Sequence, residues 1–271
     1  MKDIVGKKDI LFITLDTLRY DVAQRMHLEG KTPNISACLP ADGWEKRHSP
    51  GNFTYAAHQA FFAGFLPTPA RPGKHKRLFA ASFSGSETTG EETFVYQEAT
   101  FIEALATQGY HTMCIGGVGF FNQQTAIGQV LPGYFEEAHW SRELGVTDPR
   151  STDHQFELAA SRLGALPESQ RVMLFINVSA LHQPNYHHLP EAKWPTDKKD
   201  TIESHAAALA YVDSCLPSLF EALQRRADCF CIVCGDHGTA YGEEGYYGHR
   251  ISLDVVTTVP FTTFELPRQG Q

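Results

Sequence analysis

The chain has 271 residues, 42% hydrophobic and 20% charged, enough apolar material for one substantial core and too little polarity for a disordered chain. Its 23 Lys and Arg against 31 Asp and Glu give a net charge of −8, which disfavours a sequence-independent grip on nucleic acid or an anionic membrane surface and leaves room only for a local basic pocket. No Ser/Gly-rich linker, charge block or internal repeat divides the sequence, so residues 1–271 read as a single domain.

The N-terminal stretch MKDIVGKKDILFITLDTLRYD carries an apolar run, residues 10–15, too short for the core of a signal peptide, and it ends in Asp16 without a small-residue cleavage site. No run approaches the roughly 20 apolar residues of a membrane-spanning helix. Six cysteines without an export signal read as reduced thiols. The expectation is a soluble, cytoplasmic protein that engages neither membrane nor nucleic acid.

In chain order, residues 9–15 form the first predicted strand. The segment SPGNFTYAAHQAFFAGFLP then predicts a helix over 55–63, with Thr54 at its N-cap and Gly64 and Pro67 at its end. Residues 70–92 lose all periodicity and read as a long excursion or hairpin. Helical periodicity returns at 98–108, 154–163 and 202–225, the last around Pro217; apolar strand-like runs occupy 111–116, 172–178 and 230–234. Strands apolar on both faces, alternating with helices, are the pattern of an α/β fold with a covered, mostly parallel sheet. Cys229, Cys231 and Cys234 could suggest a thiolate metal site, but they sit in a β-prone run with no second cysteine pair, and read as small buried hydrophobes.

Open α/β sheets bind ligands beyond the carboxyl ends of their strands. There the polar residues converge: Asp16 after the first strand, Ser179 and His182 after the third, Asp236 and His237 after the last. Any one of them could be a helix cap or a satisfied core residue; their coincidence points to a metal centre. GDHGTAYGEEGYYGHR adds His249, twelve residues beyond His237, and its glycines permit the turn that lets Asp236 and His237 approach one ion. Mixed carboxylate and imidazole ligands suit zinc or manganese better than calcium. Thr54 can be a plain cap; it can also be a nucleophile, because a helix N-terminus stabilises a phosphate oxyanion and a metal activates a hydroxyl.

These residues resemble the alkaline phosphatase superfamily, which holds sulfatases, nucleotide pyrophosphatase/phosphodiesterases, phosphonate monoester hydrolases and phosphoethanolamine transferases. ILFITLDTLRYD is similar to the family's first strand with its metal-binding Asp, and TPNI at 32–35 to the segment that follows it in sulfatase-like members. Thr54 with His58, Gly64 and Pro67 resembles the phosphodiesterase nucleophile segment. Asp236-His237-Gly followed by Gly242-Glu243 and Gly248-His249 resembles the phosphoethanolamine transferase pattern. ALHQPNYHHLP, with His182, is similar to the family's His-x-Pro segment.

The resemblance implies a three-layer α/β/α sandwich with a mostly parallel sheet, in a short form lacking the smaller C-terminal subdomain of many relatives. It implies that Asp16, Thr54, Asp236 and His237 hold one zinc or manganese ion, with His182 and His249 at a second metal or at the phosphate, and Thr54, His182 and His249 as candidate catalytic residues. The implied activity is hydrolysis or transfer of phosphate mono- or diesters, or of phosphonate monoesters, through a phosphothreonine. The expected partner is a small-molecule ester.

Several departures bear on these expectations. A Thr cannot be converted to the formylglycine that sulfatases need, which argues against sulfate esters. Ala56 and Ala57 replace a Pro-Asn pair, and Thr17 replaces a second Asp, which leaves the second metal site short of ligands. Arg19 reads as a salt bridge near the Asp16 turn, and the run Arg71, Lys74, His75, Lys76, Arg77 as a solvated loop, with phosphate contact the alternative for both. A noncatalytic metal-binding partner protein or a phosphomutase are the alternative functions.

Overall fold

In a computed structural model, residues 3–64, 77–79, 93–95 and 100–270 are described. The elements in chain order are β1 (Asp9–Leu15), α1 (Tyr20–Leu28), α2 (Pro33–Ser36), β2 (Glu45–His48), α3 (Thr54–Ala63), β3 (Arg77–Phe79), β4 (Thr93–Val95), α4 (Phe101–Thr107), β5 (His111–Ile115), α5 (Ala126–Val130), β6 (Glu137–His139), α6 (Ser151–Ala165), β7 (Val172–Val178), α7 (Ile202–Arg226), β8 (Cys229–Gly235), β9 (Ala240–Tyr241), β10 (Tyr247–Gly248), α8 (Asp254–Thr257) and β11 (Thr258–Leu266).

Seven strands form one sheet in the order β2-β11-β8-β1-β7-β5-β6. Strands β8, β1, β7, β5 and β6 run parallel, while β11 lies antiparallel to β8 and β2 antiparallel to β11. Every residue of β1 and β7 is buried, as strands covered on both faces must be. Alternation along β1 divides the core: Leu11, Ile13 and Leu15 pack with α1, α2, α6 and α7, whereas Ile10 and Phe12 pack with α3 and α4. The result is the expected α/β/α sandwich. The cysteines of β8 follow the same alternation, Cys229 and Cys231 entering one core layer and Cys234 the other, so the three thiols do not converge on one ion.

Helix α7 runs unbroken for 25 residues through Pro217, which has no N–H to donate to the carbonyl four residues earlier. That carbonyl belongs to Asp213 and accepts instead from Asn34 Nδ2 at 3.0 Å. The Asp213 carboxylate meanwhile accepts from the backbone N–H groups of Asn34 and Ile35 at 3.1 and 2.8 Å, capping α2. The TPNI segment thus serves here to dock α2 on α7 at the position proline leaves open. Contrary to the sequence expectation, α7 is long and apolar enough to cross a bilayer by length and composition. Its apolar face, including Leu209, Val212, Leu216, Leu219 and Leu223, is spent on the sheet.

Within 70–92, the described strand β3 pairs in parallel with β4, which a hairpin would not do; the remainder of that excursion, with Arg71, Lys74, His75 and Lys76, and also Pro67, lies outside the described residues. The helix expected at 98–108 begins at Phe101, after the capping box of Thr100 with Glu103.

Candidate active site

The three strands β8, β1 and β7 are neighbours in the sheet, so their carboxyl ends deliver Asp236 and His237, Asp16, and the loop with His182 to one edge. Helix α3 brings Thr54 to the same place. The loop before it is pinned by Ser49, whose hydroxyl bonds to the Asp236 carbonyl and lies 2.7 Å from the Gly51 carbonyl. A Cβ on Gly51 would stand 2.5 Å from the backbone nitrogen of Ala57, so only glycine lets the loop fold against the first turn of α3.

Thr54 is the first helical residue and not the cap: Phe53 occupies the N-cap without a side-chain bond. The reason is where the hydroxyl goes. Thr54 Oγ1 lies 3.3 Å from Asp16 Oδ2 and 3.3 Å from His237 Nε2, and these groups are its partners where a capping hydroxyl would have a backbone N–H. The first N–H to bond back along this helix is that of Ala57, to the Phe53 carbonyl, so the dipole and early amides of the turn face the region around the hydroxyl.

Asp16, Asp236 and His237, all buried, offer ligand atoms that lie within 4.8 Å of one another. Asp236 Oδ1 accepts from the backbone N–H of Thr17 at 3.0 Å and of His237 at 2.9 Å. Asp236 Oδ2 and Asp16 Oδ1 are buried and meet no donor among the described residues. Two buried, unpartnered carboxylate oxygens are costly unless a cation completes them. Burial, with Asp236 adding to it, pushes the Asp16 carboxyl up to about 6; burial pushes Asp236 up to about 7 against those backbone donors. His237 donates from Nδ1 to the Gly238 carbonyl at 2.8 Å, which leaves the Nε2 lone pair free, and burial lowers its pKa. Two carboxylates and a neutral imidazole with a fixed tautomer fit a divalent cation.

His249 and His182 stand beside this group, outside the three-ligand cluster. The His249 ring centroid is 4.6 Å from that of His237 and 5.6 Å from that of His182. Burial, reinforced by His237 and His182, takes His249 down to about 3, and its Nδ1 has no partner among the described residues. His182 donates from Nδ1 to the Gln183 carbonyl at 2.6 Å.

Arg19 is a salt bridge, bidentate to Asp21 at 2.9 and 2.6 Å and joined to Glu243 at 2.5 Å. It spans from the turn after β1 to the loop carrying His249. Gly238, in that loop, is required: a Cβ there would sit 1.9 Å from the Val255 carbonyl oxygen.

Asn177 has no counterpart among the sequence candidates. It lies inside the apolar run of β7, where nothing marks it from its neighbours, yet its Nδ2 donates to Asp16 Oδ2 and Thr14 Oγ1, both at 3.3 Å. Its Oδ1 accepts from the Val118 N–H at 3.0 Å. His58 acts from beneath. Its Nδ1 donates to the Thr54 carbonyl at 2.7 Å and its Nε2 accepts from the Thr14 hydroxyl at 2.9 Å. Four aromatic rings, Phe61, Phe62, Phe121 and Phe175, enclose it at 5.3 to 5.7 Å, and burial holds its pKa near 3.

Thr17 has φ +65°, a left-handed conformation that a β-branched residue rarely adopts and that costs of order 1–3 kcal/mol. Its hydroxyl donates to the Leu181 carbonyl at 3.1 Å.

Residues 8–257 match the family model described as sulfatase. No curated protein matches the sequence. Among solved structures, the chain is similar to the C-terminal periplasmic domain of phosphoethanolamine transferase EptC from Campylobacter jejuni, with TM-score 0.62, 15% identity, and coverage of 96% of this chain and 79% of that one. It is similar to the corresponding EptC domain from Escherichia coli in complex with Zn, with TM-score 0.63, 12% identity and coverage of 97% and 73%. A third is the lipoteichoic acid synthase LtaP from Listeria monocytogenes, with TM-score 0.62, 12% identity and coverage of 95% of this chain but 65% of that one. At these identities the likeness concerns the fold.

Proposed function

The chain belongs to the sulfatase family of the alkaline phosphatase superfamily, and from that premise we propose that it is a metal-dependent enzyme that transfers or hydrolyses phosphate mono- or diesters, or phosphonate monoesters, with Thr54 as nucleophile. The observation that carries this reading is the Thr54 hydroxyl, 3.3 Å from both Asp16 Oδ2 and His237 Nε2, beside two buried carboxylate oxygens that no donor among the described residues satisfies. The printed names of the similar structures include two phosphoethanolamine transferases and a lipoteichoic acid synthase beside one whose name includes sulfatase; what favours phosphoester over sulfate chemistry is a Thr where formylglycine formation needs Cys or Ser.

Asp16, Asp236 and His237 would hold the ion, zinc or manganese, with Thr54 alongside. When bound, such an ion lowers the pKa of a coordinated hydroxyl and polarises a phosphoryl oxygen. The residues of the chain supply the remainder. Asn177 and His58 fix Asp16 and the Thr54 carbonyl, so the hydroxyl is already aimed. Asp16 Oδ2, 3.3 Å from the hydroxyl, offers an acceptor for its proton, since the Nε2 lone pair of His237 would be committed to the ion. Oxygen Oγ1 attacks phosphorus in line, the bond to the leaving-group oxygen breaks, and a phosphothreonine forms. The N-terminal turn of α3 faces the developing charge. His249 and His182 flank the region where a nonbridging oxygen or a leaving group would lie. Water or an acceptor alcohol then attacks the phosphothreonine, regenerating Thr54.

The test is metal analysis of the purified protein, followed by assays on nitrophenyl phosphate, bis-nitrophenyl phosphate, a nitrophenyl phosphonate and nitrophenyl sulfate, with mass spectrometry for phosphorylated Thr54. Cleavage of a phosphorus ester is expected and cleavage of the sulfate is not. Metal bound without turnover of any ester would favour a noncatalytic partner protein.

A further inference from the structure

Resting on the metal-dependent reading above, we propose that Thr17 is a positioning residue of the site, setting the direction of Asp236 and tying the loop of His182 to it. Thr17 follows Asp16 directly and touches the ends of both neighbouring strands. Its N–H donates to Asp236 Oδ1, beyond β8, and its hydroxyl donates to the carbonyl of Leu181, the residue before His182, beyond β7. It is 1% exposed, so water does not compete for either bond.

The N–H of Thr17 and that of His237 both occupy Asp236 Oδ1, which leaves Oδ2, unpartnered among the described residues, as the one presented to a cation. A carboxylate held by one oxygen cannot rotate to present the other without breaking two bonds. The left-handed φ of +65° turns the chain back at once after Asp16, with the Leu18 N–H closing the turn on the Leu15 carbonyl at 3.1 Å. Glycine would adopt this turn without strain. A β-branched residue kept there, with its hydroxyl bonded across to the next strand end, exchanges conformational ease for a fixed direction, as strained residues at functional sites do.

Two variants separate positioning from a structural role. Thr17→Gly keeps the N–H and relieves the backbone but loses the hydroxyl; Thr17→Ser keeps both donors. The probe is zinc ion, with affinity measured by competition against a chromophoric chelator and metal-free stability by thermal melting. We expect Thr17→Gly, in which no hydroxyl bond to Leu181 fixes the direction of the N–H toward Asp236 Oδ1, to bind zinc about tenfold more weakly while its metal-free form melts within about 3 °C of the parent, strain relief offsetting the lost bond. Thr17→Ser is expected within about twofold of the parent, as hydrogen-bonding capacity is unchanged. Equal zinc affinity in parent and Thr17→Gly overturns the proposal alone. So does an affinity loss shared equally by Thr17→Ser, or one that tracks a matching loss of metal-free melting temperature. A parent that takes up no zinc removes the reading beneath, and the proposal falls with it.

Discussion

The Thr54 hydroxyl lies 3.3 Å from His237 Nε2, and that nitrogen carries no proton because the other ring nitrogen donates to the Gly238 carbonyl. The pair is therefore a donor facing an acceptor, both buried. Since Phe53 occupies the N-cap and the Thr54 hydroxyl meets Asp16 and His237, Thr54→Ala should melt within about 3 °C of the parent, where a lost cap would cost about 1 kcal/mol. Turnover of nitrophenyl phosphate should fall more than about a thousandfold, as for other nucleophile deletions. Retention of more than about a tenth of the parental rate, well above that expectation, would remove Thr54 from the chemistry.

Zinc affinity should depend on pH through the carboxyls. In the metal-free protein burial raises Asp16 to about 6 and Asp236 to about 7, from 3.8. A raised folded pKa stabilises the protonated form: that contribution is complete below 3.8 and lost as pH rises through 6 and 7. A cation must displace those protons. Affinity should therefore climb between about pH 5 and 7 and flatten above, which zinc titrations at several pH values would read. A flat profile across that window would show that both carboxyls are already ionised.

The ends of β1, β7 and β8 were legible because a parallel strand covered on both faces reads as an apolar run, and the first polar residue after it stands out: Asp16, Asp236, His237. Asn177 was not, because a polar residue inside such a run looks like any strand residue until its partners are known. Strands β2 and β11 were also hidden. All four residues of β2 are exposed, so no alternation betrays it, and Pro260 within β11 argues locally against a paired strand. Thr54 was legible as a helix start and misplaced by one position, since the pull on its hydroxyl comes from residues 38 and 183 positions away.

Asn177→Ala should act twice. Asp16 loses a donor on Oδ2, and the Val118 N–H loses its acceptor. The second loss leaves a buried donor unpaired and should cost about 1–3 kcal/mol in urea unfolding. The first should weaken zinc by about tenfold or more. Unchanged zinc affinity would mean that Asp16 is oriented without this residue.

His58 should set part of the acid sensitivity. Burial lowers its folded pKa from 6.5 to about 3, so the unfolded chain takes up the proton first. Its contribution to stability is complete above 6.5 and is lost as pH falls from there toward 3. His58→Phe fills the aromatic enclosure but takes the side-chain donor from the Thr54 carbonyl and the acceptor from the Thr14 hydroxyl, costing about 1–3 kcal/mol at neutral pH. The variant should lose less stability than the parent between about pH 7 and 5. His205, also held near 3 by burial, keeps some of the slope in both proteins. Identical slopes in urea unfolding would place the acid sensitivity elsewhere.

The Arg19–Glu243 pair should act on His249 without touching it. Arg19 is 3% exposed at its side chain and remains bound to Asp21 when Glu243 is changed, whereas Glu243 Oε2 also accepts from the Tyr241 N–H at 2.6 Å. Glu243, six residues before His249, therefore joins β9 to the turn after β1. Glu243→Gln keeps the size of the side chain and weakens two charge-assisted bonds, at a cost of about 1–3 kcal/mol. Because Arg19 keeps Asp21, the global fold should survive, and the loss should appear locally. Hydrogen exchange at residues 240–249 should accelerate, and kcat should fall with little change in zinc affinity, since Asp16, Asp236 and His237 lie outside the strap. A variant with unaltered exchange and kcat would show that the hairpin is held by Tyr241 and its bonds to Asn185 and His205, with the ion pair contributing only to the surface.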